Sequence, residues 1–118
     1  MEEMDRERCV EQIRANIGYE AFREQRSEVD ELVMLIADVL CSSQASFRIG
    51  GTQYKSKAVK DRLASLEQSH IEYVLESMKN NTTKVRNIRG YLLTVLYNAP
   101  TTMGHYYQAA VQHDLYGQ

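Results

Sequence analysis

The sequence predicts a mostly α protein, a single-domain bundle of about six helices with one short β-hairpin, and three observations carry that reading. Apolar residues recur at helical spacing along nearly the whole chain, most densely at Ile88, Tyr91, Leu92, Val95, Leu96 and Ala99, which line one face of a 3.6-residue helix. One stretch alone breaks that period, SFRIGGTQYKS, where Gly50-Gly51 separates two short β-prone runs. A length of 118 residues with 43% hydrophobic content is enough for one core without disulfide or metal staples, so residues 1–118 are expected to fold together.

The first helix is expected over residues 5–17, with Cys9, Val10, Ile13 and Ile17 inward and Gly18 as its terminator. Tyr19 and Phe22 follow in a short charged crossing and are expected to cap the core. Ser27 is placed to cap a second helix over residues 27–41, with Asp30 as its capping-box partner. The apolar set of that helix, Val29, Leu32, Val33, Leu35, Ile36, Val39 and Leu40, is wide enough for burial over much of its circumference. Gly50 and Gly51 supply positive φ at both centres of a two-residue turn, which sets Ile49 opposite Thr52 and Phe47 opposite Tyr54. An isolated hairpin is unstable, so Phe47, Ile49 and Tyr54 must pack on helices. Ser56 opens a third helix to residue 66, with Val59, Leu63 and Leu66 inward.

Ser69 and Glu72 form an S-x-x-E capping box for a fourth helix, whose stripe is Ile71, Val74, Leu75 and Met78 and whose end falls at Asn80-Asn81. Thr82 or Thr83 then starts a fifth helix that Pro100 closes. Gly90 inside it costs roughly 1 kcal/mol of helix propensity relative to Ala, which suggests close approach of another backbone. The far side of this helix carries Leu93 and Tyr97, so it is either central in the bundle or open to a partner. Thr101 or Thr102 caps a sixth helix with Tyr106, Tyr107, Ala110 and Val111 on its apolar side.

Enzyme motifs are missing. Gly50-Gly51 lacks the spacing of phosphate-binding loops, and His105 and His113 have no third ligand beside them, so neither a metal nor a cofactor is expected. Tyr106-Tyr107 lacks the His-x-His that a nicking tyrosine requires. Cys9 and Cys41 are too few and too far apart for a zinc or redox motif and read as reduced core thiols. No run approaches the ~18 apolar residues of a membrane span, and the start MEEMDRERC is unlike a secretory leader, so a cytoplasmic protein without a membrane partner is expected.

Charge is unevenly distributed. Residues 1–45 hold 5 basic against 11 acidic side chains, a net of −6, whereas residues 46–90 hold 9 against 4, a net of +5. Such polarity steers a polyanion to one face or joins two halves of a fold. Lys79, Lys84, Arg86 and Arg89 cluster about the turn NNTT, where side-chain donors and free helix amides suit phosphate, and Lys55, Lys57 and Lys60 extend that candidate DNA-backbone surface. Leu93 and Tyr97 are the candidate partner-binding residues.

The stretches CVEQIRANIGYEAF, LCSSQASFRIGG, SHIEYVLESMKNNTTKVRNIRGYLLTVLYNAP and YYQAAVQHDLYG resemble the C-terminal domain of RepA-type replication initiators of Gram-positive plasmids and integrative elements. The likeness covers nearly the whole chain and is most specific at NNTTKVRNIRGYLLTVLYNAP and HDLYG. That domain is similar in character to the helical domain of DnaD-type primosome proteins, although this chain has Ser77 and no Trp in the region of the DnaD pattern. The resemblance implies a non-catalytic module whose origin-binding winged-helix domain lies elsewhere, with Met1 then an internal boundary of a longer initiator. It implies contact with host replication proteins, with DNA backbone non-specifically, or with another copy of itself. It supplies no residue-level site; the basic candidates rest on charge and position.

Overall fold

The computed structural model describes residues 2–80 and 87–116, with side chains over 5–79 and 87–103. Among the described residues, five α-helices and one antiparallel hairpin build the fold: α1 (Glu2–Ile17), a 3-10 turn (Tyr19–Ala21), α2 (Arg26–Leu40), β1 (Ser46–Ile49), β2 (Thr52–Lys55), α3 (Ser56–Ala64), α4 (Gln68–Asn80) and α5 (Ile88–Tyr116). The hairpin has the expected register, Phe47 against Tyr54 and Ile49 against Thr52, because Gly50 (φ 59°) and Gly51 (φ 83°) take the two left-handed positions of the turn.

One core joins all the elements. Ile13 and Ile17 of α1 meet the seven buried apolar residues of α2, and Val59, Leu63, Leu66, Ile71, Val74 and Leu75 close it from α3 and α4. Each fully buried Leu, Ile or Val removes about 2 kcal/mol of apolar exposure, so these layers dominate the stability. α5 runs between them: Leu92, Leu96, Tyr97 and Ala99 are all buried, and the helix touches α2, α3, α4 and β1. It is the spine of the bundle.

Several local expectations are corrected. No side chain caps α2, and Ser27 lies inside its first turn. Asp30 instead accepts the Tyr19 hydroxyl at 2.5 Å, while the guanidinium groups of Arg14 and Arg26 lie 4.6 and 4.3 Å from the Tyr19 ring. Those contacts hold the crossing between α1 and α2. α4 starts two residues earlier than its Ser69-Glu72 signal: the Glu67 N–H donates to Nδ1 of His70 at 2.9 Å, and the Glu67 carbonyl accepts from His70 and Ile71. The imidazole three residues on does what Glu72 was expected to do. Gly18 (φ 65°) ends α1 as predicted, and a Cβ there would stand 2.6 Å from Oε1 of Gln68, so the position also serves the approach of α4.

At α5 the cap is Asn87, whose Oδ1 accepts the Gly90 N–H at 3.0 Å while its carbonyl accepts Tyr91 N. A Cβ on Gly90 would meet that same Asn87 side chain at 2.7 Å, so the glycine makes room for its own cap rather than for another backbone. Thr82 and Thr83, the expected caps, and Asn81 lie outside the described residues. Pro100 does not end the helix; α5 continues to Tyr116, so the expected fifth and sixth helices are one. A proline removes one backbone hydrogen bond and crowds the preceding turn, which bends a helix without having to stop it. The side chains of His105, Tyr106, Tyr107, Ala110, Val111 and His113 lie outside the described set.

Candidate functional site

Of the seven basic residues singled out by charge, three are engaged within the fold, two are exposed without an ion pair among the described residues, and two lie outside the described set. Arg89 donates to Oδ2 of Asp38 at 2.6 Å, and Arg6 reaches Oδ1 of the same carboxylate at 2.7 Å, so one acid ties α5 and α1 to α2. Burial pushes the Asp38 carboxyl upward, but hydrogen bonds from Arg89 and Arg6 outweigh it and hold the group below its ordinary value. Lys57 pairs with Asp61 at 2.9 Å one turn on, which raises its ammonium above its ordinary value. Lys60 donates to the Ser42 carbonyl at 2.6 Å and is half-buried. Lys55 and Lys79 are exposed, with no ion pair among the described residues, and Lys84 and Arg86 lie outside the described set. The described residues therefore do not assemble the predicted phosphate-binding surface: Arg89 faces an acid, and Lys57 and Lys60 are satisfied locally.

The partner-binding candidates are corrected more sharply. Tyr97 is only 7% exposed: the Tyr54 ring lies 4.9 Å from it, and the Arg62 guanidinium sits 4.6 Å from its centroid while donating to Thr101. Leu93 is half-buried against the same core. The hairpin covers the far side of α5, since a Cβ on Gly50 would touch the Thr94 methyl at 3.7 Å. A helix apolar on two sides is here enclosed on two sides.

The open apolar surface lies elsewhere. Among the described residues the exposed large apolar side chains are Met34 (38%) and Ile88 (55%), and both line one hollow between α2 and the start of α5, with Leu35 and Leu92 beneath. A second hollow along α1, lined by Val10, Glu7 and Glu11, meets the first at Met34. The two enclose ≈ 400 and ≈ 370 Å³ and open broadly to solvent. Adjoining at Met34, they make an open trough-like surface on α1, α2 and α5, in which Val10, Met34, Leu35, Ile88 and Leu92 stand among charged side chains.

Periodicity had assigned Ile88 to the core and passed over Met34. Ile88 follows the α5 cap directly, where the helix has not yet entered the bundle. Met34 was legible by another route: at 100° per residue it falls beside Asp30, Glu31 and Asp38 on the polar side of α2, an apolar residue among acids.

The cysteines differ from expectation as well. Cys9 is half-buried and Cys41 is exposed at the end of α2, since α2 closes at Leu40 and turns its cap outward. Burial, and then the neighbouring Cys41 thiol, push Cys9 up. No cluster of three or more metal-ligating side chains occurs among the described residues, and no described helix is long and apolar enough to cross a membrane.

A protein-family model described as a family of unknown function, DUF6017, matches residues 1–117. No curated protein and no solved structure matches the chain.

Proposed function

The chain belongs to the DUF6017 family of unknown function, and we propose that it is a non-catalytic docking module of a mobile-element replication initiator, contacting a host replication protein. The observation that carries docking is the pairing of Met34 and Ile88, exposed side by side across one trough while nearly every other large apolar side chain described is covered. Methionine suits such a surface, because its unbranched side chain adapts to different partner shapes. The replication context comes from the RepA-type motifs, above all NNTTKVRNIRGYLLTVLYNAP.

Lys79 and Lys55, exposed and outside any described ion pair, support a second reading in which the module also touches DNA backbone. The two readings separate in one experiment. The purified chain is titrated with a duplex of arbitrary sequence from low to physiological salt, and in parallel used to capture proteins from nuclease-treated lysate of a Gram-positive host. Docking predicts capture of replication proteins that survives nuclease. DNA contact predicts affinity that falls steeply with salt and weakens alike for all sequences in Lys55→Ala/Lys79→Ala. Undetectable DNA binding at low salt removes the second reading; capture that disappears with nuclease removes the first.

A further inference from the structure

We propose that the trough takes a basic amphipathic helix, its apolar side on Met34, Ile88 and Val10 and its Lys or Arg side chains on Glu7, Glu11 and Glu31. The proposal rests on the docking reading above and names the chemistry of the partner. Three observations support it.

Shape comes first. Both hollows open broadly to solvent and adjoin at Met34, which lines each of them, so the apolar surface is an open one that extends over more than one helix. Small molecules favour enclosed pockets with a few convergent polar groups, whereas an open apolar groove fits the side chains that a helix presents at i, i+3, i+4 and i+7.

Charge decides what kind of helix. The cations lining the trough are already engaged: Arg6 and Arg89 on Asp38, and Arg14 beside Tyr19 with Asp30 at 4.0 Å. Glu7, Glu11 and Glu31 are exposed and take part in no ion pair among the described residues. The rim that remains to be neutralised is therefore negative, within a segment whose net charge is −6 over residues 1–45.

The third observation is local cost. Glu7 and Glu11 stand four residues apart on α1, so their carboxylates are neighbours on the helix surface and repel. A pair of like charges flanking Val10, neither in an ion pair among the described residues although Arg6 and Arg14 line the same hollow, is unfavourable in the free protein and becomes favourable against a basic partner.

The test uses synthetic probes: a fluorescein-labelled Leu/Lys peptide of about 18 residues patterned as an amphipathic helix, and its Leu/Glu counterpart, titrated by fluorescence anisotropy. The Leu/Lys peptide is expected to bind and the Leu/Glu peptide not to. Met34→Glu/Ile88→Glu is expected to weaken binding by roughly tenfold or more. Glu7→Lys/Glu11→Lys/Glu31→Lys is expected to lose the Leu/Lys peptide and gain the Leu/Glu one. All five positions are exposed, so circular dichroism of each variant should match wild type. Equal binding of both peptides, abolished by the Met34/Ile88 change, overturns the basic-helix proposal but leaves a docking trough. Binding indifferent to Met34 and Ile88 overturns both the proposal and the docking reading beneath it.

Discussion

Replacing Tyr97 by alanine separates a spine from an interface. As a free partner-binding residue, Tyr97 would lose little stability on truncation. As found, it is 7% exposed, with the Tyr54 ring at 4.9 Å and the Arg62 guanidinium at 4.6 Å. Truncating a buried aromatic costs about 3–5 kcal/mol, a figure that already includes the cavity and the lost ring contacts. The lower end applies here, since Tyr97 packs at the edge of the core, under Tyr54 of the hairpin and the Arg62 side chain of α3. For 118 residues the entropy of unfolding is about 0.25 kcal/mol/K, so ~3 kcal/mol corresponds to a fall in Tm of roughly 12 °C. Tyr97→Phe keeps the ring and should stay within about 1 kcal/mol. Differential scanning calorimetry reads both. A Tyr97→Ala protein within about 1 kcal/mol of wild type would show that the far side of α5 is not enclosed, and the docking surface would have to be sought there again.

Three further outcomes follow from the geometry. Asp38→Asn should destabilise by about 1 kcal/mol or less at pH 6, because the Asp38 side chain is 35% exposed and its bridges are screened by solvent. The folded-state value of Asp38 is lowered, so its contribution is present above the unfolded value of 3.8 and is lost as pH falls through the lower, folded one; urea midpoints of wild type and Asp38→Asn should therefore converge below that range, and a constant gap would contradict the assignment. Asn87→Ala should cost about 1 kcal/mol through the lost cap, Gly90→Ala alone should be nearly neutral, and Gly90→Ala added to Asn87→Ala should recover about 0.5–1 kcal/mol in thermal melts; a gain from Gly90→Ala in the wild-type background equal to that in the capless one would show that the two residues do not compete for space. Cys41 should alkylate before Cys9 in a timed maleimide reaction mapped by mass spectrometry, since burial and the adjacent thiol hold Cys9 protonated; equal rates would argue against that environment.

Where a feature depends on near neighbours in sequence, the residues revealed it. The α2 core set, the end of α1 at Gly18 and the hairpin register through Gly50-Gly51 follow from periodicity and turn chemistry; all three stand, except that Ala37 is buried in α2 and Leu40 only partly so. Helix starts were less readable, because several side chains compete for the same amides: His70 replaced Glu72 at α4, and Asp30 was drawn away to Tyr19. The role of Pro100 was misread because one missing hydrogen bond can bend a helix as well as end it. The site was the least legible. Whether Arg89 is free for phosphate depends on Asp38, 51 residues away, and whether Tyr97 is open depends on where the hairpin folds back. Neither pairing leaves a periodic trace. Met34 left the one usable signal, an apolar side chain on the acidic side of α2.

In the proposed function, the surface around Met34 and Ile88 is what a replication protein grips. The most direct measurement of that contact is quantitative capture from nuclease-treated host lysate on wild type and on Met34→Glu/Ile88→Glu, with matched melting temperatures to show that both are folded. Replication proteins held by wild type are expected to be lost from the variant. Retention of the same proteins at the same level by both would contradict the proposed function.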